Sequence, residues 1–246
     1  MPKANKQRLD ALVQQRHGIT RAKAQALIRA GQVVGPHGER LDKPGLRVLA
    51  DMEFSIVERP RYVGRGGFKL EAALEAFDMS VAGVVAIDVG ASTGGFTDCL
   101  LQHGATRVYA VDVGYGQLAW ELRNDPRVLV LERTNIRRLT PDHLKERPDF
   151  FTVDCSFISL RLVLPPLRKL LAEAAQGIAL IKPQFEAGPE LVGKGGVVRD
   201  ERVRERVVEE VLNAASEIGF AADGVIRSPL VGPAGNREFL ARLHVT

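Results

Sequence analysis

Five short apolar runs rich in β-branched residues recur along the chain after residue 83, and each of them ends in a charged residue. Continuous apolar runs of this length are typical of strands that are buried on both faces of a parallel sheet. The four segments that connect the runs are long enough to hold helices, and this alternation predicts an α/β fold. The predicted strands span residues 84–88, 107–112, 127–132, 150–154 and 177–182.

The first 65 residues carry a different pattern, in which two short helices precede a few β-type pieces. Apolar residues at helical spacing predict helices over 5–16 and 21–30, the second capped by Thr20 and ended by Gly31. Short strands are predicted at 32–34, 46–49 and 53–57. The pattern therefore divides the chain into a small α+β domain, a linker and a larger α/β domain, at residues 1–58, 59–65 and 66–246.

Composition excludes several classes of protein. The chain has 246 residues, of which 45% are hydrophobic and 26% charged, so it is neither disordered nor fibrous. No apolar run reaches the roughly 18 residues of a membrane helix, and no secretory signal follows the basic N-terminus. We therefore expect a cytoplasmic protein without a membrane partner. Two cysteines and five scattered histidines predict no metal site.

Charge is distributed unevenly. Residues 1–65 have a net charge of +7, whereas the remaining residues have a net charge of −3. A basic front on a mildly acidic body is typical of a protein that binds a polyanion through the front. An ordinary solvated surface would give the same counts, so charge alone leaves both interpretations open.

The charged residues that end the five runs are candidates for one ligand site. They are Asp88, Asp112, Glu132, Asp154 and Lys182. The carboxyl ends of parallel strands meet at one edge of a sheet, where open α/β sheets bind their ligands. Four carboxylates and one amine on one edge indicate a cationic or polyhydroxyl ligand, with chance placement as the alternative.

The loop after the first predicted strand is rich in small residues, which allow a ligand to approach the backbone. Its glycines, Gly90, Gly94 and Gly95, do not have the spacing of the dinucleotide fingerprint, and no phosphate-binding loop is present. Asp112 lies 22 residues after Gly90, where an acidic residue binds a pair of ribose hydroxyls. A nucleoside without a diphosphate is implied, and S-adenosylmethionine (SAM) has this chemistry.

Three motifs resemble those of the FtsJ-type RNA ribose methyltransferases. The loop Gly90-x-Ser92-x-Gly94-Gly95-Phe96, preceded by Asp88, is similar to their motif I. The stretches 153–160 and 180–186 resemble the TlyA branch, also called the haemolysin A family. The resemblance implies a Rossmann-like, SAM-dependent methyltransferase domain. The positions that match the family's SAM site are Asp88, Gly90, Ser92, Gly94, Phe96, Asp112, Asn135 and Asp154.

The same resemblance implies a catalytic tetrad of Lys69, Asp154, Lys182 and Glu238, which acts on a ribose 2′-OH. Lys182 would accept or stabilise the proton of that hydroxyl, and the two carboxylates would hold the amines in position. A lysine serves as a base only where burial or a neighbouring cation favours its neutral form, and Lys69 is the candidate for that cation. No metal is needed, because the leaving group departs as a neutral thioether.

The basic front resembles the S4-type RNA-binding domain, from Arg8-Leu9-Asp10 through 31–34 and on to 42–45. This resemblance implies a structured RNA as the partner, and the methyltransferase likeness implies that the partner is ribosomal RNA or a ribosomal subunit. Contacts with phosphates position a structured RNA without reading its sequence. The residues implied as RNA contacts are Arg8, Arg21, Lys23 and Arg29.

Structural interpretations stand beside the functional ones. Lys69 opens a predicted helix and would otherwise be read as a plain surface charge, and Glu238 as a salt-bridge partner of Arg237 or Arg242. Trp120 is expected in the core, and Cys155 is expected to be a small buried thiol. The glycine-rich stretch 186–198 is a candidate lid.

The leading functional hypothesis is a SAM-dependent 2′-O-methyltransferase of ribosomal RNA. The family likeness favours a cytidine of large-subunit RNA, with small-subunit RNA as a second target. The alternatives are a non-catalytic RNA-binding or ribosome-assembly factor and a membrane-active haemolysin. A nicotinamide dehydrogenase is disfavoured by the missing fingerprint. The oligomeric state is left open.

Overall fold

The chain divides into two compact units, residues 1–61 and 62–246. The computed structural model describes residues 6–29, 31–57 and 61–246, without the side chain of Pro233. Parts of three predictions lie outside the described residues: the N-terminal stretch 1–5, the helix position Ala30, and the domain boundary and linker at 58–60.

The first unit pairs two helices with two small antiparallel ladders. Its elements are β1 (Lys6–Arg8), α1 (Leu9–His17), α2 (Arg21–Arg29), β2 (Val33–Val34), β3 (Arg47–Leu49) and β4 (Ser55–Ile56). Strand β1 pairs with β3, and β2 pairs with β4. The helix that we predicted over 5–16 therefore starts later than expected, because residues 6–8 extend along β3 instead.

Helix α2 has the ends that its sequence predicts. The Thr20 hydroxyl accepts a hydrogen bond from the backbone N–H of Lys23 at 3.2 Å, as an N-cap does. Gly31 has a positive φ of 65°, and its N–H donates to the carbonyl of Ile28. The apolar faces of both helices form the core of this unit, which includes Leu9, Leu12, Val13, Ala24 and Ile28.

The second unit is a three-layer α/β structure. Its helices are α3 (Gly66–Ala76), α4 (Gly95–Gln102), α5 (Trp120–Arg123), α6 (Leu160–Leu170), α7 (Pro183–Glu186) and α8 (Glu201–Ser216). Its strands are β5 (Val85–Val89), β6 (Arg107–Val111), β7 (Val128–Leu131), β8 (Phe150–Val153), β9 (Gln176–Ile181), β10 (Phe220–Arg227) and β11 (Phe239–Val245). Short 3₁₀ turns occur at Ile136–Arg138, Pro141–His143 and Pro189–Leu191.

The seven strands form one sheet in the order β10-β11-β9-β8-β5-β6-β7. The five predicted strands, β5 to β9, are parallel, which confirms the α/β prediction, and β10 and β11 add an antiparallel edge. Residues of α6 and α8 pack in one hydrophobic core with the sheet, and residues of α3 and α4 pack in another. The chain runs outward from β5 to β7 and then returns to β8 beside β5, which opens a crevice at the carboxyl ends of β5 and β8.

Two expectations are corrected by the packing. Residues 62–65 belong to the second unit rather than to a linker, because Tyr62 is buried in its core and the Val63 N–H donates to the Asp98 carboxylate at 2.8 Å. Trp120 is 75% exposed, not part of the core. It opens the single-turn helix α5, in which Leu122 is the buried residue.

Candidate active site

Two of the predicted catalytic residues follow adjacent strands of the sheet. Asp154 comes directly after β8 and Lys182 directly after β9, and Lys182 has the extended backbone that a residue before proline favours. Their side chains form an ion pair, with Nζ of Lys182 2.5 Å from Oδ1 of Asp154. The same amine donates a hydrogen bond to Ser156 Oγ at 3.0 Å. The amine is therefore fixed by two partners from the β8 loop.

The other two predicted catalytic residues form a second ion pair. Lys69 lies in the first turns of α3 and Glu238 immediately precedes β11, and Nζ of Lys69 is 2.5 Å from Oε2 of Glu238. The two side chains are only 11% and 1% exposed. Lys69 is thus not a plain surface charge, and its partner is the carboxylate of Glu238. The other oxygen of Glu238, Oε1, is buried without a hydrogen-bond partner among the described residues.

All four of these residues line one cavity of about 300 Å³. The two ion pairs cancel in charge, so the cavity takes its net charge from Arg65, which also lines it and has no acidic partner among the residues that the structure describes. Phe96 contributes an apolar wall. The segment Leu230–Gly232 closes another side, a contribution that the sequence offers no signal for.

A second cavity of about 380 Å³ adjoins the first, and the two share Gly90, Ser92, Asp154 and Ser156. Five of the eight residues predicted for the SAM site line it: Gly90, Ser92, Asp112, Asn135 and Asp154. The rest of its lining is largely apolar and includes residues that sequence reasoning missed. Among them are Val113, Ile136, Cys155, Phe157 and Ile158.

Backbone N–H groups hold the Asp112 carboxylate at the end of β6. Its Oδ2 accepts from Ser92 at 2.8 Å and its Oδ1 from Gly114 at 2.6 Å. Each oxygen keeps a lone pair for a further donor, such as a ribose hydroxyl. The Asn135 carboxamide is also oriented, because its Oδ1 caps the following 3₁₀ turn by accepting from the Arg137 N–H.

Gly90 brings the two cavities together. Its φ is 88°, and a Cβ at this position would lie 2.5 Å from the carbonyl oxygen of Asp154. A residue without a side chain is therefore required where the loop after β5 passes the loop after β8. The residues present fit SAM, since fixed acceptors for a ribose and an apolar wall for a base lie beside the four catalytic candidates.

Two residues predicted to bind the cofactor, Asp88 and Gly94, have structural roles instead. Asp88 is fully buried, where it accepts from the hydroxyls of Thr97 at 2.7 Å and Thr152 at 2.8 Å, and it lines neither cavity. Gly94 is the N-cap of α4 with a φ of 96°, and a Cβ there would collide with Leu122. Both residues therefore shape the cofactor loop, and they line neither cavity.

Burial changes the titration of several groups near the site. It raises the pKa of Asp88 to about 6, although the two threonine hydroxyls oppose that rise. It also raises the pKa of the Cys155 thiol to about 12, so this partly exposed residue is a neutral wall of the cofactor cavity and not a nucleophile. Burial raises the pKa of Glu186 as well, and this carboxylate holds the start of α6 by accepting from Ser159 and from the Leu160 N–H.

The last of the five charged residues at the strand ends, Glu132, and the four residues predicted to contact RNA lie outside both cavities. Glu132 accepts from Arg123 at 2.5 Å and from the Gly116 N–H, and so holds the loop after β6 in place. Arg8, Arg21, Lys23 and Arg29 lie in the first unit, and all four are exposed. Within the described residues there is no cluster of His, Cys, Asp and Glu suited to a metal ion. None of the helices described here is long and apolar enough to cross a membrane.

Comparison with known proteins gives consistent matches. Residues 62–244 match the profile of the FtsJ-like methyltransferase family. The 16S/23S rRNA (cytidine-2′-O)-methyltransferase TlyA of Mycobacterium tuberculosis is 49% identical over 96% of this chain and 89% of its own length. A solved hemolysin-type structure from Streptococcus thermophilus is 47% identical, covers 99% of this chain and 90% of its own, and superposes with a TM-score of 0.76.

A more distant likeness concerns the fold alone. The N-methyltransferase NodS of Bradyrhizobium japonicum, solved with S-adenosylhomocysteine, is 17% identical, with a TM-score of 0.51 over 72% of this chain and 87% of its own. Together with the family match, it confirms the prediction of a Rossmann-like, SAM-dependent methyltransferase fold.

Proposed function

Because this chain belongs to the FtsJ-like methyltransferase family, we propose that it transfers a methyl group from SAM to a ribose 2′-OH of ribosomal RNA. The observation that carries the proposal is the meeting of four side chains, Lys69, Asp154, Lys182 and Glu238, on a cavity that adjoins a second one lined by Asp112 and Asn135. A reaction at a ribose hydroxyl requires an amine beside the reacting oxygen and a methyl donor in line with it.

SAM, when bound, supplies a methyl group on a positively charged sulfur. In the second cavity, Asp112 would accept from the ribose hydroxyls, Asn135 would offer its carboxamide to the nucleoside, and Cys155 and Ile136 would be apolar walls. Asp154 lines both cavities, so its carboxylate is available to the cationic end of the ligand. The residues thus orient the reactive end toward the first cavity.

In the first cavity, the Lys182 amine, once it has released its own proton to solvent, accepts the 2′-proton as the ribose oxygen attacks the methyl carbon. The oxygen–carbon bond forms, the sulfur–carbon bond breaks, and the electron pair of that bond stays on sulfur. Asp154, 2.5 Å away, stabilises the ammonium that Lys182 becomes. The Lys69–Glu238 pair adds a second amine to the lining of the same cavity without adding net charge.

The substrate follows from two lines of support. The M. tuberculosis relative is named for cytidine 2′-O-methylation of 16S and 23S rRNA. In addition, Arg65 gives the mouth of the catalytic cavity a positive charge, which suits a phosphate next to the reacting ribose. We therefore assign a cytidine of large-subunit rRNA as the first target and small-subunit rRNA as the second, with the front unit as an S4-type RNA-binding domain.

The test is methyl transfer from labelled SAM to ribosomal subunits isolated from cells that lack the protein. We expect transfer by the natural chain and a fall in kcat of about 10²–10⁴ for Lys182→Ala, since a positioned base is lost. SAM affinity, measured by calorimetry, should change by no more than about threefold, because the nucleoside contacts are intact.

Lys169→Ala is the matched control, because Lys169 is an exposed lysine of α6 outside both cavities. It should transfer methyl groups at the natural rate. Undiminished turnover by Lys182→Ala would contradict the role of Lys182, and no transfer to either subunit by the natural chain would contradict the proposed substrate.

A further inference from the structure

A completely buried carboxylate lies in the first turn of α1, in the first unit. It belongs to Asp10, which has no exposed side-chain area. Its Oδ1 accepts from Arg8 Nε at 3.0 Å, and its Oδ2 accepts from an Arg8 terminal nitrogen at 2.9 Å, from Gln25 at 2.8 Å and from Arg21 Nε at 3.3 Å. The Arg8 guanidinium holds the pKa of this carboxyl well below its usual range, so Asp10 is a permanent anion.

The same contacts fix two guanidinium groups side by side. Arg8 comes from β1 and Arg21 from the start of α2, and both turn their inner edges to Asp10. Their outer edges face solvent, since the two side chains remain 45% and 53% exposed. The cluster has a net charge of +1 and keeps several N–H donors that the carboxylate does not use.

Stability alone is a poor account of this arrangement. Burying a carboxylate costs desolvation energy that its ion pairs only offset, and apolar packing of the same volume is often as stable. The rest of this small core is apolar, including Leu9, Leu12 and Val13 directly beside it. What the carboxylate adds is orientation: two long, flexible side chains are held in one place before any ligand arrives.

We propose that Asp10 is a positioning residue, which holds Arg8 and Arg21 as a preformed two-guanidinium site for one RNA phosphate. The inference rests on the proposed function, since it needs RNA as the partner of this unit. Guanidinium groups match phosphate oxygens in a planar, bidentate way, and fixing them in advance reduces the entropy lost on binding. Arg8 and Arg21 then act as one site, unlike Lys23 and Arg29, whose side chains have no carboxylate partner among the described residues.

In the decisive experiment, charge attraction and positioning predict opposite changes in RNA affinity. Asp10→Asn removes a negative charge, so simple attraction to a polyanion predicts tighter RNA binding. Positioning predicts the opposite, because the amide can no longer hold both guanidiniums, and we expect binding about tenfold weaker. The measurement is the Kd of the full-length protein for a fluorescent ribosomal RNA transcript in 0.15 M KCl.

Asp42→Asn is the matched control, since Asp42 is an exposed carboxylate of the same unit and carries the same charge. Its RNA affinity should stay the same or rise slightly. Arg8→Lys and Arg21→Lys keep every charge but lose the planar fork, and each should weaken binding to a similar degree as Asp10→Asn. Thermal unfolding shows whether Asp10→Asn folds. If it does not, the two lysine variants still test the proposal.

The positioning role is overturned if folded Asp10→Asn binds RNA as tightly as the natural chain, or if both lysine variants bind normally. Additive losses in the Arg8→Lys, Arg21→Lys double variant would likewise contradict a single shared site. Failure of the proposed function would give a different result. The natural chain and the variants would bind the transcript in the expected order of affinity, but the natural chain would transfer no methyl group to ribosomal subunits.

Discussion

The role of a single residue in this protein depends on its burial as much as on its chemical type. Lys69 looks like an ordinary helix charge in the sequence, yet its amine is buried against Glu238, which comes from the other end of the chain. Asp88 looks like a cofactor ligand, yet it is sealed beneath the loop by two threonine hydroxyls. Residue type alone does not separate these two roles.

Asp88 makes stability depend on pH in a specific direction. Its pKa in the folded chain is about 6, above the ordinary 3.8, so protonation favours the folded state. The stability that it contributes is full below pH 4 and is lost as pH rises through 6. In Asp88→Asn this titration is absent. Between pH 7.5 and 4 the natural chain should therefore gain about 2 kcal/mol relative to the variant.

Urea unfolding of both proteins at several pH values measures this difference, and the titration of other groups cancels in it. Asp149→Asn serves as a control, because Asp149 holds the start of β5 by accepting from the Val85 N–H but has no comparable burial. A difference between the natural chain and Asp88→Asn that stays constant across this pH range would contradict the assignment.

Among the elements, the turn from β5 into α4 determines the site more than any strand does. Gly90 and Gly94 both have positive φ, and each glycine lies where a Cβ would strike a neighbour. The motif therefore predicts a tight ligand loop from sequence alone. Which neighbours require the glycines, the Asp154 backbone and Leu122, becomes known only from the packing.

Gly90→Ala should disable this element. The added Cβ would lie 2.5 Å from the Asp154 carbonyl oxygen, so the two loops must separate, and SAM affinity should fall more than tenfold. Gly83→Ala is the control, because Gly83 has a similar φ of 83° but open space around it. It should cost about 1–2 kcal/mol of backbone strain and leave the SAM Kd unchanged. Equal loss of affinity in both variants would show that strain, not the close approach, matters.

At the scale of the whole molecule, charge and chemistry lie in different parts of the sequence. The net charge of +7 belongs to residues 1–65, whereas the catalytic cavity shares only Arg65 with that segment and the second cavity is lined by residues from 89 onward. Binding of RNA and binding of SAM should therefore respond differently to salt. Phosphate contacts release counterions and weaken steeply with salt, whereas a nucleoside in a largely apolar cavity is little affected.

Raising KCl from 50 to 200 mM should raise the KM for ribosomal subunits by roughly tenfold or more. Over the same range, the SAM Kd from calorimetry should change by less than about twofold. Sucrose-gradient analysis checks that the subunits stay intact. A parallel change in the two constants would mean that the basic front does not govern substrate binding.

The sequence by itself determined the parallel sheet, its charged edge and the glycine loop, because strand burial, turn chemistry and residue spacing are local properties. It also identified the four residues at the catalytic cavity, through their motifs. The tertiary structure alone decided which carboxylate pairs with which amine and that Asp10 contacts two arginines. It also decided that Asp88 is buried instead of lining the ligand site, and that Trp120 is exposed instead of lying in the core. Those outcomes depend on contacts between segments as much as 169 residues apart, and no local pattern encodes such a contact.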